Sequence, residues 1–458
     1  MLKGAVIATS PPPQAGRPAF RDHPVEYVLG LFAEVHPGEA ATALWLTANI
    51  FLLLTAYYLL KVAREPLILG TEGGAEMKSY AAAGQSVLLI FVAMAYGAIA
   101  ARVDRMRLIA LVTLFFGMNL LVFFVLGSRD VPLGVPFYLW VGIFNMTVVA
   151  QFWSFAADLY APAQGKRLFP ILGIGMSVGA VAGSWFAKQL LGLGPYMMML
   201  VSAGLLMVCL LITWHVNRRE QRNARQREHV EEEPLGTTGG FTLLVRDRYL
   251  LAIAALMFIV NWVNTTGEYV LDRTLVATAA GEAAHAGMST LRFVGTFKAE
   301  YFQWVNVIGV VLQLFVVSRV IKYLGVRRAL FIMPIVSLAG YSVLAIAPQL
   351  SLIFAAKVAE NSLDYSLQNT ARHALWLLPS RDAKYKVKQI VDTFLVRSGD
   401  VMSAIVVWVG VRFGFGTVHF LVGNIVLIGV WMVVLVVLGR EHRRRSAEEE
   451  PLGASLAA

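Results

Sequence analysis

The sequence predicts an all-α membrane protein with about twelve transmembrane helices in two pseudo-symmetric six-helix bundles. Hydrophobic residues make up 57% of the 458 residues and charged residues only 15%, whereas soluble domains carry about 25% charged residues. One long hydrophilic break divides the apolar stretches six and six, and Lys and Arg collect on alternate connections. These three observations exclude an ordinary water-soluble chain.

Each predicted span is an apolar stretch of suitable length, since a membrane helix needs about 20 mostly apolar residues. In chain order the stretches are 42–63, 79–101, 107–127, 135–158, 168–192, 195–216, 249–271, 300–321, 329–348, 350–376, 389–412 and 416–439. The break at residues 217–240 carries a basic run followed by an acidic run, which is typical of a solvated linker.

The break sets the expected domain boundaries. We expect an N-terminal bundle over 41–216, a cytoplasmic linker over 217–248, a C-terminal bundle over 249–440 and a cytoplasmic tail over 441–458. In the N-terminal segment 1–40, apolar residues at 25, 28, 29, 31, 32 and 35 predict a short amphipathic helix on the membrane surface. An ordered tail is the alternative for that segment.

Basic residues follow the even-numbered spans and are sparse on the other short connections. Examples are Arg102 and Arg105 after span two, Arg327 and Arg328 after span eight, and four basic residues at 440–445 after the last span. Positive charge remains on the cytoplasmic side of membranes, so both termini are predicted to be cytoplasmic. The net charge of +10 therefore reflects topology, and we expect no nucleic-acid partner.

Sequence motifs for catalysis and metal binding are absent. The single cysteine, Cys209, excludes a disulfide framework and a Cys-based zinc site. The eight histidines are scattered, and no phosphate-binding G-x-x-x-x-G-K-[ST] loop, HExxH or G-x-S-x-G occurs. We therefore expect no enzyme activity, no cofactor and no metal, and we expect a monomer in the lipid bilayer.

The two halves show weak self-similarity at an offset of 220 residues. The matched pairs are Lys78 with Lys298, Arg107 with Arg327, Lys166 with Lys386 and Gly179 with Gly399. Parallel six-helix repeats of this kind are the architecture of the major facilitator superfamily, and residues 97–107 loosely resemble its loop between spans two and three. The sequence therefore predicts a fold of major facilitator type.

Several ionisable residues fall inside predicted spans, where each costs about 2.5–3.5 kcal/mol at the bilayer centre unless it faces water. The candidates for a substrate-binding cavity are Lys61, Arg64, Glu65, Glu268, Lys357, Asp364, Arg372, Lys388, Asp392 and Arg397. In span ten, residues 357, 360, 364, 368 and 372 form one helical stripe. The alternatives are a packing seam and, for Arg64, Arg273 and Lys298, charged groups near helix ends that reach out to water.

A cavity with cations from both halves suits an anionic solute, because the guanidinium fork matches phosphate oxygens. Nearby aromatic residues offer stacking surfaces for a base. These residues are Tyr57, Tyr58, Phe152, Trp153, Tyr301 and Trp304. Packing and interface anchoring are the more common uses of aromatic residues in membrane helices.

Residues 57–80, 152–184 and 364–400 resemble the ATP:ADP antiporter family, the nucleotide transporters of plastids and obligate intracellular bacteria that also occur in free-living bacteria. The similarity extends over roughly residues 40–440. The family's basic and acidic element in span one is similar to residues 61–65, and its acidic residue in span seven is similar to Glu268. Its pattern opening span eleven is matched by Lys388, Asp392, Arg397 and Gly399.

The resemblance implies exchange of ATP for ADP, or carriage of other nucleotides, through twelve spans in a bacterial inner membrane. Two departures bear on the substrate. The family's Asp-Pro-Thr-Lys-Glu element reads Asn369-Thr370-Ala371-Arg372-His373 here, and no acid precedes Phe152 in span four. The alternatives are a proton-coupled carrier of another organic anion, with Asp364, Asp392 or Glu268 as the proton carrier, and a scaffold or sensor without transport.

The predicted topology has a direct test. A tag placed after Ala458 should be protected from protease added outside intact cells, because the C-terminus is predicted to be cytoplasmic. Cleavage of the tag in intact cells would contradict this orientation, and permeabilised cells supply the positive control.

Overall fold

The chain folds into twelve long helices. The computed structural model describes residues 35–36, 39–100, 102–160, 162–223, 240–376, 378–379 and 387–456. The helices of the first half are α1 (Ala40–Leu69), α2 (Gly74–Ala100), α3 (Arg105–Gly127), α4 (Gly134–Leu159), α5 (Pro162–Leu190) and α6 (Pro195–Asn223). Those of the second half are α7 (Arg248–His285), α8 (Thr290–Ala329), α9 (Ile332–Ile346), α10 (Leu350–Leu363, Asp364–Gln368 and Asn369–Leu375), α11 (Lys388–Arg412) and α12 (Thr417–Leu456).

The predicted all-α membrane fold is confirmed. In the described part of the chain, ten helices are long and apolar enough to cross a membrane by length and composition. The remaining two are α9, which has 15 residues, and α10, which carries several charges and is interrupted by a turn of π-helix. Both still take their predicted places in the order of twelve.

Several helices extend beyond the predicted spans. The spans predicted at 42–63 and 249–271 continue to Leu69 and His285. A hydropathy window stops at charged residues, whereas here those residues face the protein interior and the backbone remains helical. The start of α7 is fixed by Asp247, whose carboxylate accepts hydrogen bonds from the backbone N–H groups of Tyr249 and Leu250.

The halves join along two pairs of helices. Within the first half α1 packs on α5 and α6, and within the second half α7 packs on α11 and α12. Across the boundary α2 contacts α11 and α5 contacts α8. This arrangement leaves a space between the halves that is bordered by α1 and α7.

The halves are closed together at the end where α1 and α7 finish, here called the distal end. An apolar cluster contributed by both halves lies there: Ile68, Leu69, Ala81, Tyr138, Leu275, Ala279 and Val294. The hydrogen bonds and ion pairs that join described residues of the two halves also lie in the middle or towards this end, as with Tyr269 and Glu76 at 2.8 Å. The distal end is therefore the sealed end of this conformation.

Three turns of π-helix occur in the described second half. They cover Gln313–Val317 in α8, Asp364–Gln368 in α10 and Val391–Leu395 in α11. Each turn bonds five residues back rather than four, which rotates the side chains after it relative to a regular helix. A stripe extrapolated through such a turn at 3.6 residues per turn therefore loses its register.

Some predictions lie outside the described residues. These are the amphipathic helix at 25–35 apart from Val35, the linker between 224 and 239, and the repeat partner Lys386. The described ends of the linker are helical, since α6 continues to Asn223 and a short helix covers Gly240–Arg246. The domain boundaries remain predictions.

A row of glycines brings α5 against α1. Gly175, Gly179 and Gly183 recur every four residues and face α1, where a Cβ on Gly179 would clash with the backbone oxygen of Phe51. Small residues at this spacing let membrane helices approach closely. The contact positions α1, which carries Lys61, Arg64 and Glu65.

We predict that Gly179→Ala lowers the thermal stability of the purified protein, whereas Gly173→Ala raises it. Both substitutions gain about 0.5–1 kcal/mol from helix propensity. Gly179→Ala also forces a methyl group into backbone atoms, and overpacking costs about 1–3 kcal/mol. Gly173 lies in the same helix, and a Cβ added there would have no neighbour within 4 Å. Thermal unfolding in detergent measures both, and shifts of the same sign would contradict the close-approach argument.

Candidate functional site

A cavity of about 250 Å³ lies between the halves. This space, here called the central cavity, has walls from both halves that are rich in charged, amide and aromatic side chains. The lining residues that matter for its chemistry are Tyr57, Lys61, Arg64, Glu65, Lys78, Tyr138, Asn264, Glu268, Asp272, Phe302, Asn361, Tyr365, Arg397 and Asp400.

Five of the ten predicted site residues line this cavity: Lys61, Arg64, Glu65, Glu268 and Arg397. The other five lie outside its lining: Lys357, Asp364, Arg372, Lys388 and Asp392. The prediction that Arg372 and Asp392 point into the central cavity is therefore wrong in this conformation. Their own partners explain where they point.

The stripe on α10 faces away from the cavity. Asn361 and Tyr365 line the cavity, and each follows a stripe residue, Glu360 or Asp364, by one position. One position on a helix is a rotation of about 100°. The stripe therefore faces α7 and α9, so it is a packing seam, the alternative that the sequence left open.

Lys357 and Glu360 form a buried ion pair within the second half, with Nζ 2.7 Å from Oε2. Glu360 also accepts hydrogen bonds from Tyr341 at 3.0 Å and Ser337 at 3.3 Å. Lys357 donates to the side-chain oxygen of Asn264 at 2.8 Å. This network fixes Asn264, a lining residue, from behind.

The remaining predicted residues pair with each other. Arg372 donates to Asp364 at 2.8 Å across the π turn of α10. Lys388 donates to Asp392 at 2.9 Å, one helical turn away on α11. Both pairs are compensated locally, and the Lys388–Asp392 pair is partly exposed towards the end where α11 begins.

Four charged residues from four helices close the distal side of the cavity. Glu65 of α1, Lys78 of α2, Asp272 of α7 and Lys298 of α8 form what we call the ion quartet. Lys78 lies 2.5 Å from Glu65 and 2.8 Å from Asp272. Lys298 pairs closely with Asp272 and lies 3.8 Å from Glu65. Glu65 and Lys298 are fully buried, so Lys298 does not extend to water at a helix end as one alternative held.

Each lysine of the quartet contacts one carboxylate from its own half and one from the other half. Lys78 and Lys298 are the pair matched by the 220-residue offset. Glu65 and Asp272 hold equivalent places near the ends of α1 and α7. The half-repeat is thus expressed as a two-fold arrangement of charge. This repeat was the sequence signal that marks Lys78 and Lys298 as site residues.

Lys61 differs from the quartet because no carboxylate of the described chain lies within 4 Å of its ammonium group. Aromatic rings surround it instead, with centroids at 4.2 Å for Phe302, 5.1 Å for Tyr58, and 6.0 Å for Tyr57 and Tyr365. Aromatic faces attract a cation but satisfy none of its three N–H donors. Lys61 therefore presents unused donors at the cavity wall.

Arg64 is also only partly satisfied. Its Nε donates to Glu65 at 3.2 Å, and its guanidinium group stacks on Tyr138 at 4.4 Å from the ring centroid. Among the described residues its terminal nitrogens donate no hydrogen bond. Stacking holds the guanidinium plane in place and leaves its outer edge free to bind an anion.

Glu268 and Asn361 form the facing wall. Oε1 of Glu268 accepts hydrogen bonds from Tyr301 at 2.5 Å and from Asn361 at 2.8 Å. Within the described chain Oε2 accepts none, and its nearest cation is Lys298 at 3.9 Å. The side-chain oxygen of Asn361 likewise has no hydrogen-bond partner among the described residues, although Asn361 is only 5% exposed.

Asp400 joins three helices at the side of the cavity. It accepts hydrogen bonds from Asn261 and Thr265 of α7 at 2.8 Å each and from Ser86 of α2 at 3.0 Å. Arg397 lies 3.5 Å away on the same helix and is 38% exposed. Sequence reasoning noted Asp400 as a charge in a span but did not place it in the site.

The predicted aromatic residues divide between cavity and packing. Tyr57 lines the cavity, Tyr58 donates to Asn306 at 2.9 Å, and Tyr301 is committed to Glu268. Trp304 is 53% exposed on the protein surface. Tyr365, which the sequence pattern did not single out, is the lining aromatic with the most open face, 48% exposed.

Comparison with known proteins supports a transporter. No family model matches the chain. Over 282 residues it is 23% identical to "ADP,ATP carrier protein 1, chloroplastic" of Arabidopsis thaliana, covering 56% of this chain and 45% of that protein. Over 179 residues it is 23% identical to "ADP,ATP carrier protein 2, chloroplastic" of the same plant, covering 35% and 29%. The matched region spans less than half of either carrier.

Solved structures with the same fold are transporters. The nucleoside transporter NupG superposes with a TM-score of 0.62 at 12% identity, covering 87% of this chain and 98% of that chain. A bacterial homologue of the human lysosomal transporter Spinster gives 0.59 at 14% identity, covering 90% and 99%. The peptide transporter PepTSo gives 0.61 at 12% identity, covering 89% and 98%.

The chain has the fold of a major facilitator transporter. It is a multi-pass membrane protein with the twelve-helix architecture predicted from its sequence. At these identities the likeness to solved structures shows the fold alone, because the neighbours include nucleoside, peptide and metal transporters.

We predict that Asp272→Asn destabilises the protein far more than Asp158→Asn. Asp272 is 2% exposed and removing it leaves the fully buried Lys298 without its closest carboxylate. Breaking a buried pair costs about 3–5 kcal/mol, an upper bound here because Glu65 remains 3.8 Å away. Asp158 pairs with Arg105 at the surface, with both side chains over a third exposed, where a pair contributes about 0–1 kcal/mol. Thermal unfolding in detergent compares the two, and equal shifts would contradict the quartet's role.

Proposed function

We propose that the protein is a secondary transporter that exchanges nucleotides of the ATP/ADP type by alternating access of the central cavity. The observation that carries the proposal is the unused hydrogen-bonding capacity of Lys61 and Arg64 on one wall of an otherwise compensated cavity. Phosphate oxygens are strong acceptors that match both groups. The similarity to chloroplast ADP,ATP carriers supports this choice of solute.

The charge balance of the site favours an anion. The cavity and the wall behind it hold six cations (Lys61, Arg64, Lys78, Lys298, Lys357 and Arg397) and five carboxylates (Glu65, Glu268, Asp272, Glu360 and Asp400). The excess is one positive charge, and Lys61 is the cation without an acidic partner within 4 Å among the described residues. A bound phosphate would supply the missing partner for this buried charge.

Tyr57 and Tyr365 supply surfaces on which a base can stack. Tyr57 belongs to the first half and Tyr365 to the second, and both line the cavity. Base stacking on an aromatic side chain contributes about 1–3 kcal/mol and tolerates different bases. The site therefore offers separate contacts for phosphate and for base.

Closure of the distal end fits one step of an alternating cycle. The ion quartet and the apolar cluster lie between the cavity and that end, so the solute enters from the opposite end in this conformation. If the termini are cytoplasmic, as predicted, this is an inward-facing state. The complementary state requires separation of the quartet across the boundary between the halves.

Uptake into proteoliposomes tests the function. We expect labelled ATP to enter vesicles preloaded with ADP and to stay outside empty vesicles, because exchange requires a counter-solute. Uptake of a nucleotide only when a pH gradient is imposed would favour the proton-coupled alternative. Absence of uptake and of nucleotide binding would favour a scaffold or sensor.

We predict that Arg64→Gln weakens ATP binding about tenfold to a hundredfold, because a hydrogen bond to a charged group contributes about 1.5–3 kcal/mol. Arg372→Gln should change affinity less than twofold, since Arg372 is committed to Asp364 outside the lining. Equilibrium binding to the purified proteins in detergent measures both. A larger loss for Arg372→Gln than for Arg64→Gln would place the phosphate site elsewhere.

A further inference from the structure

The two walls of the central cavity carry opposite charge. On the first half the lining holds Lys61, Arg64 and Lys78 against one carboxylate, Glu65. On the second half it holds Glu268, Asp272 and Asp400 against one cation, Arg397. The first wall thus has a net charge of +2 and the second of −2. With the buried residues behind the second wall, Lys298, Lys357 and Glu360, that side is still negative.

Unused hydrogen-bonding capacity is divided in the same way. The first half offers donors, the ammonium of Lys61 and the terminal nitrogens of Arg64. The second half offers acceptors, the Oε2 of Glu268 and the side-chain oxygen of Asn361, neither of which accepts a hydrogen bond within the described chain. Donors on one side and acceptors on the other select a solute whose own groups are divided in the opposite sense.

We infer that the cavity binds a nucleotide in one orientation, with its phosphates against the first half and its nucleoside against the second half. This inference rests on the proposed nucleotide exchange. Phosphates are acceptors and negative, so they match Lys61 and Arg64. Ribose hydroxyls and exocyclic amino groups are donors, so they match Glu268 and Asn361. Glu268 and Asn361 are then specificity-determining residues for the nucleoside.

The acceptors on the second half are held in fixed positions. Asn361 donates to Glu268 at 2.8 Å and to Tyr301 at 2.5 Å, and Tyr301 donates to Glu268. These bonds use the donors of Asn361 and one oxygen of Glu268, which leaves an acceptor on each residue. A site of unpaired buried acceptors discriminates strongly against a ligand that lacks the matching donor.

The test separates two kinds of discrimination in purified, full-length protein. Equilibrium binding of ATP, ADP and AMP gives a phosphate ratio, the affinity for ATP over that for AMP. Binding of ATP, its 2′-deoxy and 3′-deoxy forms, and ITP gives a nucleoside ratio, taken as the largest loss on removing one donor group. Because a hydrogen bond to a charged group contributes about 1.5–3 kcal/mol, wild type should show both ratios at about tenfold or more.

Lys61→Gln should reduce the phosphate ratio by roughly threefold or more and leave the nucleoside ratio within about twofold, since it removes one phosphate contact of several. Glu268→Gln should do the reverse. Lys61→Arg should restore most of the phosphate ratio, because it retains the charge. Lys188→Gln and Glu300→Gln are matched controls, since these residues pair at 2.7 Å outside the lining of the cavity, and both ratios should stay at their wild-type values.

Three results would overturn the orientation. These are equal effects of Lys61→Gln and Glu268→Gln on the same ratio, a reversed assignment, and a wild-type protein that binds nucleotides without any nucleoside discrimination. Arg64→Gln and Asn361→Ala replace the first variants if either fails to give a monodisperse protein. Failure of wild type to bind any nucleotide would instead contradict the proposed function, and the two failures are therefore distinguishable.

Discussion

The cost of placing charge inside a bilayer governs the structure of this protein. An unpaired ionised group at the membrane centre is tolerated only where it meets water, an opposite charge or a dense set of hydrogen bonds. The buried charges gather between the halves, where carboxylates and cations from four helices meet in the ion quartet. The close packing of α1 on α5 and of α7 on α11 and α12 holds those helices at the distances the charges require. Helix packing and charge pairing therefore depend on each other.

The fold could be predicted from the sequence because hydrophobic length and loop charge are local properties. Twelve spans and a central break follow directly from counting apolar residues. The ends of α1 and α7 were missed because hydropathy falls where Glu65 and Asp272 occur, although the helices continue through them. Window-based reasoning treats such charges as boundaries, whereas tertiary pairing makes them interior residues.

The candidate site could be predicted only in part. Lys61, Arg64 and Glu268 were identified because a charge inside a span has few structural uses. The stripe on α10 misled, because periodicity shows that residues share a face but not which neighbour that face meets. Glu360 meets Tyr341 of α9 within the second half, while Asn361 and Tyr365 turn to the cavity. Neutral lining residues such as Asn361 carry no sequence signal of their own, since their importance comes from what remains unbonded after folding.

The division of the ion quartet has a consequence for the energetics of transport. If the halves separate at the distal end, Glu65 keeps Lys78 and Asp272 keeps Lys298, so each half retains a neutral pair. Moving one elementary charge through the membrane potential changes the energy by about 2.3 kcal/mol per 100 mV. Parting of two neutral pairs displaces no net charge through that field. The quartet would then open at a rate that is indifferent to voltage, and any electrogenicity of the cycle would come from the difference in charge between the two solutes exchanged.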